Sequence, residues 1–143
     1  MRWSEGLLGR MWIAWLVWTA TGVEGCTVTD DDLDRYVYYW VYGSTNPDGC
    51  GHISGWDVSR VTSLDSAFLG ASSFNEDLSG WNVAKVTSLY FTFGSASEFN
   101  GDLSSWNIAR VTNLGYTFHD ASGFNRDLSS WNVANVTRLD NTF

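Results

Sequence analysis

The sequence predicts an α/β solenoid of 25-residue coils, each a short strand followed by a short helix, with a helical cap ahead of the first coil. Three observations lead there. Trp56, Trp81, Trp106 and Trp131 recur at one fixed interval with no insertion, and the segments behind them repeat in register, the signature of stacked repeats. Within a segment, Trp-x-Val puts two apolar side chains on one face of an extended stretch, while Leu, Phe and Ala at i, i+4 and i+7 share one face of a helix. Nine Trp, eight Phe and six Tyr against one Pro in 143 residues supply burial that a disordered acidic chain lacks.

The first element, residues 1–25, reads as a signal peptide. Arg2 and Arg10 precede an apolar run from Met11 to Val23 that is shorter than the ~20 residues a membrane-spanning helix needs. Val23 and Gly25 stand three and one before Cys26, and Ala20 with Gly22 offers a second cleavage site. An uncut signal anchor competes with this reading. So does a lipoprotein modified at Cys26, against which Glu24 stands where a small residue is wanted. The chain is therefore expected to be secreted or displayed at the cell surface.

Residues 26–55 follow as the cap and the loop that leads into the first coil. In an oxidising compartment Cys26 and Cys50 can close a disulfide, worth roughly 3 kcal/mol in the chain-entropy model. Two free thiols or an intermolecular bridge are the competing readings. From Thr29, three acids suit a helix N-terminus, and Leu33, Tyr36, Val37, Trp40 and Val41 make an apolar stripe that Gly43 ends.

The repeats occupy 56–143, three complete and a truncated fourth that runs from Trp131 to Phe143. In each, Leu78, Trp81 and Val83 or their counterparts mark the strand, and a Thr such as Thr87 caps a helix carrying Leu89, Phe93 and Ala96. Equivalent residues stack into ladders: Trp56, Trp81, Trp106 and Trp131; Phe68, Phe93, Phe118 and Phe143; and Asn75, Asn100 and Asn125 at the bend F-N-x-D-L. Asp77, Asp102 and Asp127 share that bend, and Asp57, Asn82, Asn107 and Asn132 follow the Trp. Stacked carboxylates could hold Ca²⁺, but each repeat brings few of them and no glycine-rich calcium loop, so no metal is expected. Positions that vary, Arg60, Lys85, Arg110 and Asn135, and Glu76, Gly101 and Arg126, are those free to face water and a partner. Asn135-Val136-Thr137 is an N-glycosylation sequon. The fourth repeat stops at Phe143 without a polar covering element, so either the array continues in a longer chain or this coil self-associates with another copy.

Charge narrows the function classes. The net charge is −8, and removing 1–25 takes two acids and two bases, so the acidity belongs to the remainder. That is the wrong sign for nucleic acid. Two His, His52 and His119, in unrelated contexts leave no imidazole-built metal site or catalytic triad, and no cofactor is expected. The main expectation is a non-catalytic binding module with an extracellular protein or glycan as partner. A structural spacer or self-assembling wall protein is the alternative. An enzyme reading would need a carboxylate pair such as Asp77 and Asp102 in two different environments, which a uniform ladder does not provide.

The patterns W-[DN]-V-x-x-V-T-x-L-x-x-x-F and F-N-x-D-L-S-x-W, with G-H-I-S-G-W-D-V-S-R-V-T ahead of them, resemble the BspA-like surface-protein repeat family over residues 29–143. Leu64, Leu89, Leu114 and Leu139 stand where that family usually has Met, and these units are one residue short of its commonest length. The resemblance implies a leucine-rich-repeat-like extracellular or surface-anchored protein, often linked to adhesion, with no catalytic residues to carry over.

Overall fold

The computed structural model of the protein describes residues 26–43 and 49–143; the expected signal peptide, 1–25, lies outside the described residues. The α-helix Asp30–Tyr42, α1, is the one predicted from the apolar stripe. Asp30, Asp31 and Asp32 occupy its first turn, where the helix dipole favours negative charge. Thr29 accepts from the amides of Asp32 and Leu33 through its carbonyl, while its hydroxyl donates to Asp32 Oδ2 at 2.8 Å and caps no amide. Gly43, at φ 68°, ends the helix in the left-handed conformation that glycine adopts without strain. Leu33, Tyr36 and Val37 are buried, and the rings of Tyr36 and Trp40 stand edge-on to Trp56 at 5.9 and 6.2 Å.

Just ahead of α1, Thr27 and Asp57 form a parallel bridge, with Val28 N–H donating to Asp57 O and Asp57 N–H to Cys26 O, both at 2.8 Å. Cys26 and Cys50 are joined by a disulfide, with their Cα atoms 4.9 Å apart. The segment before α1, α1 itself and the first repeat thus form one packed body.

From Trp56 onward the expected fold class is overturned. Among the described residues α1 is the only α-helix, pairing is confined to isolated bridges such as Ser63↔Ser88↔Asn113↔Arg138, and no sheet forms. The repeats are therefore not the strand-plus-helix coils of a leucine-rich-repeat-like solenoid. They are chains of tight turns stacked one on another.

The physical reason lies in where the backbone N–H groups go. In the stretch read as a helix, Leu89, Phe91, Phe93 and Ser95 donate not to residues four back but to carbonyls of the next repeat, Asn113, Gly115, Thr117 and His119, at 2.7–3.1 Å. Thr92 and Gly94 between them, and Ala96 just after, close turns onto the residue three before. Phe91 and Ser95 have φ of 52° and 57°, which no right-handed helix accommodates. Leu89, Phe93 and Ala96 do all point inward, but as members of a longer series. Trp81, Val83, Val86, Leu89, Phe93, Ala96, Phe99, Leu103 and Trp106 are all buried, so the chain turns a side chain inward at every second, third or fourth position around the whole repeat. Several of these close the turn themselves, as Val86 N–H does to Val83 O and Trp106 N–H to Leu103 O.

Candidate functional site

The ladder residues stack, and their bonds run between repeats. Phe68, Phe93, Phe118 and Phe143 form a column with ring centroids 5.3, 5.6 and 5.5 Å apart and planes within 11°. Trp56, Trp81 and Trp106 lie 6.4 and 6.5 Å apart, and Trp81, Trp106 and Trp131 each donate their indole N–H to a carbonyl of the preceding repeat or its entry turn: Ile53, Leu78 and Leu103. A second Phe column, Phe74, Phe99 and Phe124, packs against the first at 4.4, 4.0 and 4.0 Å and escaped the sequence analysis. Its signal was present in F-N-x-D-L, where the Phe is as regular as the Asn.

Asn100 and Asn125 donate their amides to Asn75 Oδ1 and Asn100 Oδ1 at 2.8 and 3.0 Å. The Asp residues of the same bend do something else. Asp77, Asp102 and Asp127 each accept from the amide of the Ser two residues on, closing a local turn, and Asp57 after the first Trp does the same with Ser59. The hydroxyl and amide of Ser79 hold the Asp77 carboxyl below the ordinary range, and those of Ser104 and Ser129, with the amide leading, do the same for Asp102 and Asp127. Asp77 and Asp102 thus close the same local turn, while the Asp102 charge opposes the lowering at Asp77 and the Arg126 charge adds to it at Asp102. Among the described residues no group of three His, Cys, Asp or Glu side chains is placed to hold a metal ion. Asn135 is exposed and donates through Nδ2 to Ala109 O at 2.7 Å.

Arg60, Lys85 and Arg110 are exposed at equivalent positions of successive repeats, as their variability suggested. The more distinctive surface lies elsewhere, between the Leu and Phe of L-x-x-x-F. Each repeat holds one left-handed residue there, at Ser66, Phe91, Tyr116 and Asn141, and a second at Gly70, Ser95 and Asp120. Small residues or Asn tolerate that conformation best. Phe91 and Tyr116 are the exceptions: a bulky residue at positive φ costs about 1–2 kcal/mol. Their rings stack at 4.5 Å and 14°, which returns about 0.5–1.5 kcal/mol for the pair.

Around this stack the half-buried side chains of Tyr90 and His119 complete an aromatic cluster. Tyr90 meets Phe91 at 4.9 Å and Tyr116 at 5.9 Å, His119 lies 5.4 Å from Tyr116, and Arg138 stands over Tyr90 at 5.7 Å. Asp120 is 3.2 Å from His119 Nδ1. In the sequence His119 stands out only as an isolated imidazole and the others are not singled out, because a helix carrying Leu89, Phe93 and Ala96 on its buried face would turn Tyr90 and Phe91 away from it. The triplets Asp-Ser-Ala, Tyr-Phe-Thr, Gly-Tyr-Thr and Asp-Asn-Thr between Leu and Phe nevertheless differ conspicuously among repeats that are otherwise alike. Beyond Leu69, on the same side, a groove of about 340 Å³ separates α1 from the first repeat.

Comparison with known proteins gives one family: the model of DUF285, described as a Mycoplasma protein of unknown function, matches residues 40–143. No curated protein and no solved structure matches the chain.

Proposed function

We propose, from the premise that this chain belongs to the DUF285 family, that it is a non-catalytic binding module of the BspA-like kind, carried outside the cell and engaging a protein or glycan. The reading rests first on Phe91 and Tyr116. Two large aromatic side chains held half-exposed in a conformation that disfavours them are a backbone outlier of the sort that collects at functional surfaces. Tyr90, His119 and Arg138 add hydrogen-bonding groups around an apolar centre, the composition of a recognition patch. Secretion follows from the pattern of residues 1–25. Among the described residues no helix is long and apolar enough to cross a membrane.

The test exchanges these aromatics for the residues that the first and fourth repeats carry at the same position. Phe91→Ser with Tyr116→Asn leaves the turn geometry in place, because Ser66 and Asn141 already adopt it. Wild-type and doubly substituted protein are compared on arrays of glycans and extracellular-matrix proteins. A ligand bound by the wild type and lost by the variant, at unchanged melting temperature, is the expected result. A ligand bound equally by both would move the binding site off this face.

A further inference from the structure

We infer that the groove between α1 and the first repeat is a receptor for a lysine side chain of a protein partner. This goes beyond the aromatic face of Phe91 and Tyr116, and neither site depends on the other. Asp34, Tyr38 and Tyr42 follow at i, i+4 and i+8 along α1 and form one wall. Ser66 and Leu69 form the opposite wall, over a floor that includes Phe68. Tyr38, Tyr42 and Leu69 are 61%, 57% and 46% exposed, so the apolar rim is left open. The volume of about 340 Å³ is at the lower end for a ligand site and suits one side chain.

Charge selects the occupant. The Tyr38 and Tyr42 rings, 5.1 Å apart and tilted by 44°, both line the groove and bring two π systems to it. The Asp34 carboxylate has no hydrogen bond or ion pair among the described residues. Its neighbour Arg35 does not neutralise it, being paired with Asp32 at 3.4 Å and lying over Tyr36 at 5.0 Å. In a chain of net charge −8 this groove repels anions. A neutral apolar ligand would leave the Asp34 carboxylate without a partner. A lysine matches both parts: its four-carbon stem covers the apolar floor and its ammonium meets the carboxylate and the ring faces. Its three separate N–H donors suit single acceptors such as Asp34 and the Ser66 hydroxyl, whereas the arginine fork favours a coplanar pair.

The full chain is titrated with Nα-acetyl-lysine N-methylamide, with the same compound acetylated at Nε, and with tetramethylammonium chloride, followed by amide chemical shifts of Tyr38, Tyr42 and Leu69. Saturable shifts with the free amine, about tenfold weaker binding of the Nε-acetylated form and a similar loss in Asp34→Asn support the inference. Equal binding of both lysine compounds, tetramethylammonium binding as tightly as lysine, no saturable shift, or an unaffected Asp34→Asn variant would each overturn it. Unchanged shifts of Trp81 and Trp106 in the variant show that its fold is intact.

Discussion

Asp30 stands where a repeat is missing, and removing it should loosen the first turn stack by a measurable amount. In every later repeat a Thr donates both its amide and its hydroxyl to the carbonyl of the equivalent Thr one repeat earlier: Thr87 to Thr62, Thr112 to Thr87, Thr137 to Thr112. Thr62 has no such predecessor. The Asp30 carboxylate takes its place, accepting from the Thr62 amide at 2.7 Å, the Thr62 hydroxyl at 2.6 Å and the Ser63 amide at 3.3 Å. Counting the two short bonds at a net 0.5–1.5 kcal/mol each gives roughly 1–3 kcal/mol, and solvent exposure of the site places Asp30→Ala near the lower half, about 1–2 kcal/mol.

The effect should depend on pH with a definite sign. Burial is the largest single influence on the Asp30 carboxyl and raises its pKa. The Thr62 hydroxyl and the amides of Thr62 and Ser63 together outweigh it and leave the group below its ordinary value. A carboxyl depressed in the folded state stabilises above its unfolded pKa of about 3.9, and that contribution disappears as pH falls through the folded value. Denaturant unfolding of wild type and Asp30→Ala at about pH 7 and about pH 2 should show a larger difference at the higher pH. Because Asp30 also faces the α1 dipole, a double-mutant cycle with Thr62→Val is needed to isolate the contact. A coupling energy below about 0.3 kcal/mol, or a pH-independent difference, would refute the reasoning.

Three further outcomes follow from the same structure. Replacing Cys26 and Cys50 by Ala should lower stability by roughly 3 kcal/mol, read from the denaturation midpoint, and by far less if the bridge does not form in the purified protein. Ser95→Gly should raise stability by about 0.5–1 kcal/mol and Gly70→Ala should lower it by a similar amount, since both sit at the same left-handed position; melting curves showing the opposite order would contradict that backbone assignment. Trp106→Phe removes the indole bond to Leu78 O at 3.0 Å and leaves a small void, so a loss of about 2–3 kcal/mol is expected by the same assay.

The parts of this molecule that sequence made legible are those where one rule has no rival. α1 shows adjacent inward pairs, Tyr36 with Val37 and Trp40 with Val41, which only a period near 3.6 produces, and its acids and Gly43 mark both ends. The repeats never place two buried apolar residues side by side, as the series from Trp56 to Ala121 shows. Their spacing of two, three or four is compatible with strand and helix locally and with neither over a whole repeat. Reading Trp-x-Val as a strand and Leu, Phe and Ala as a helix assigned local periods to what is one continuous succession of turns. Left-handed residues were invisible for a related reason: only Gly70 announces the conformation, whereas Phe91, Tyr116 and Asp120 adopt it under the constraint of neighbouring repeats. The candidate face was hidden with them.

The hydrogen bonds between repeats also explain why the array counts in whole units. Amides such as Leu64, Ser66 and Phe68 reach forward to Ser88, Tyr90 and Thr92 of the next repeat, threonine amides reach back to the equivalent threonine, and indole N–H groups reach back beyond the equivalent Trp to Ile53, Leu78 and Leu103. A single inserted or deleted residue puts all three kinds out of step at once and turns every later side chain to the wrong direction. Gain or loss of one entire repeat between Trp56 and Trp131 leaves each donor facing the acceptor it had before. Length variation in this architecture is therefore quantised, and its surface can be lengthened, shortened or reshuffled in steps while α1 and Asp30 continue to close the first of them.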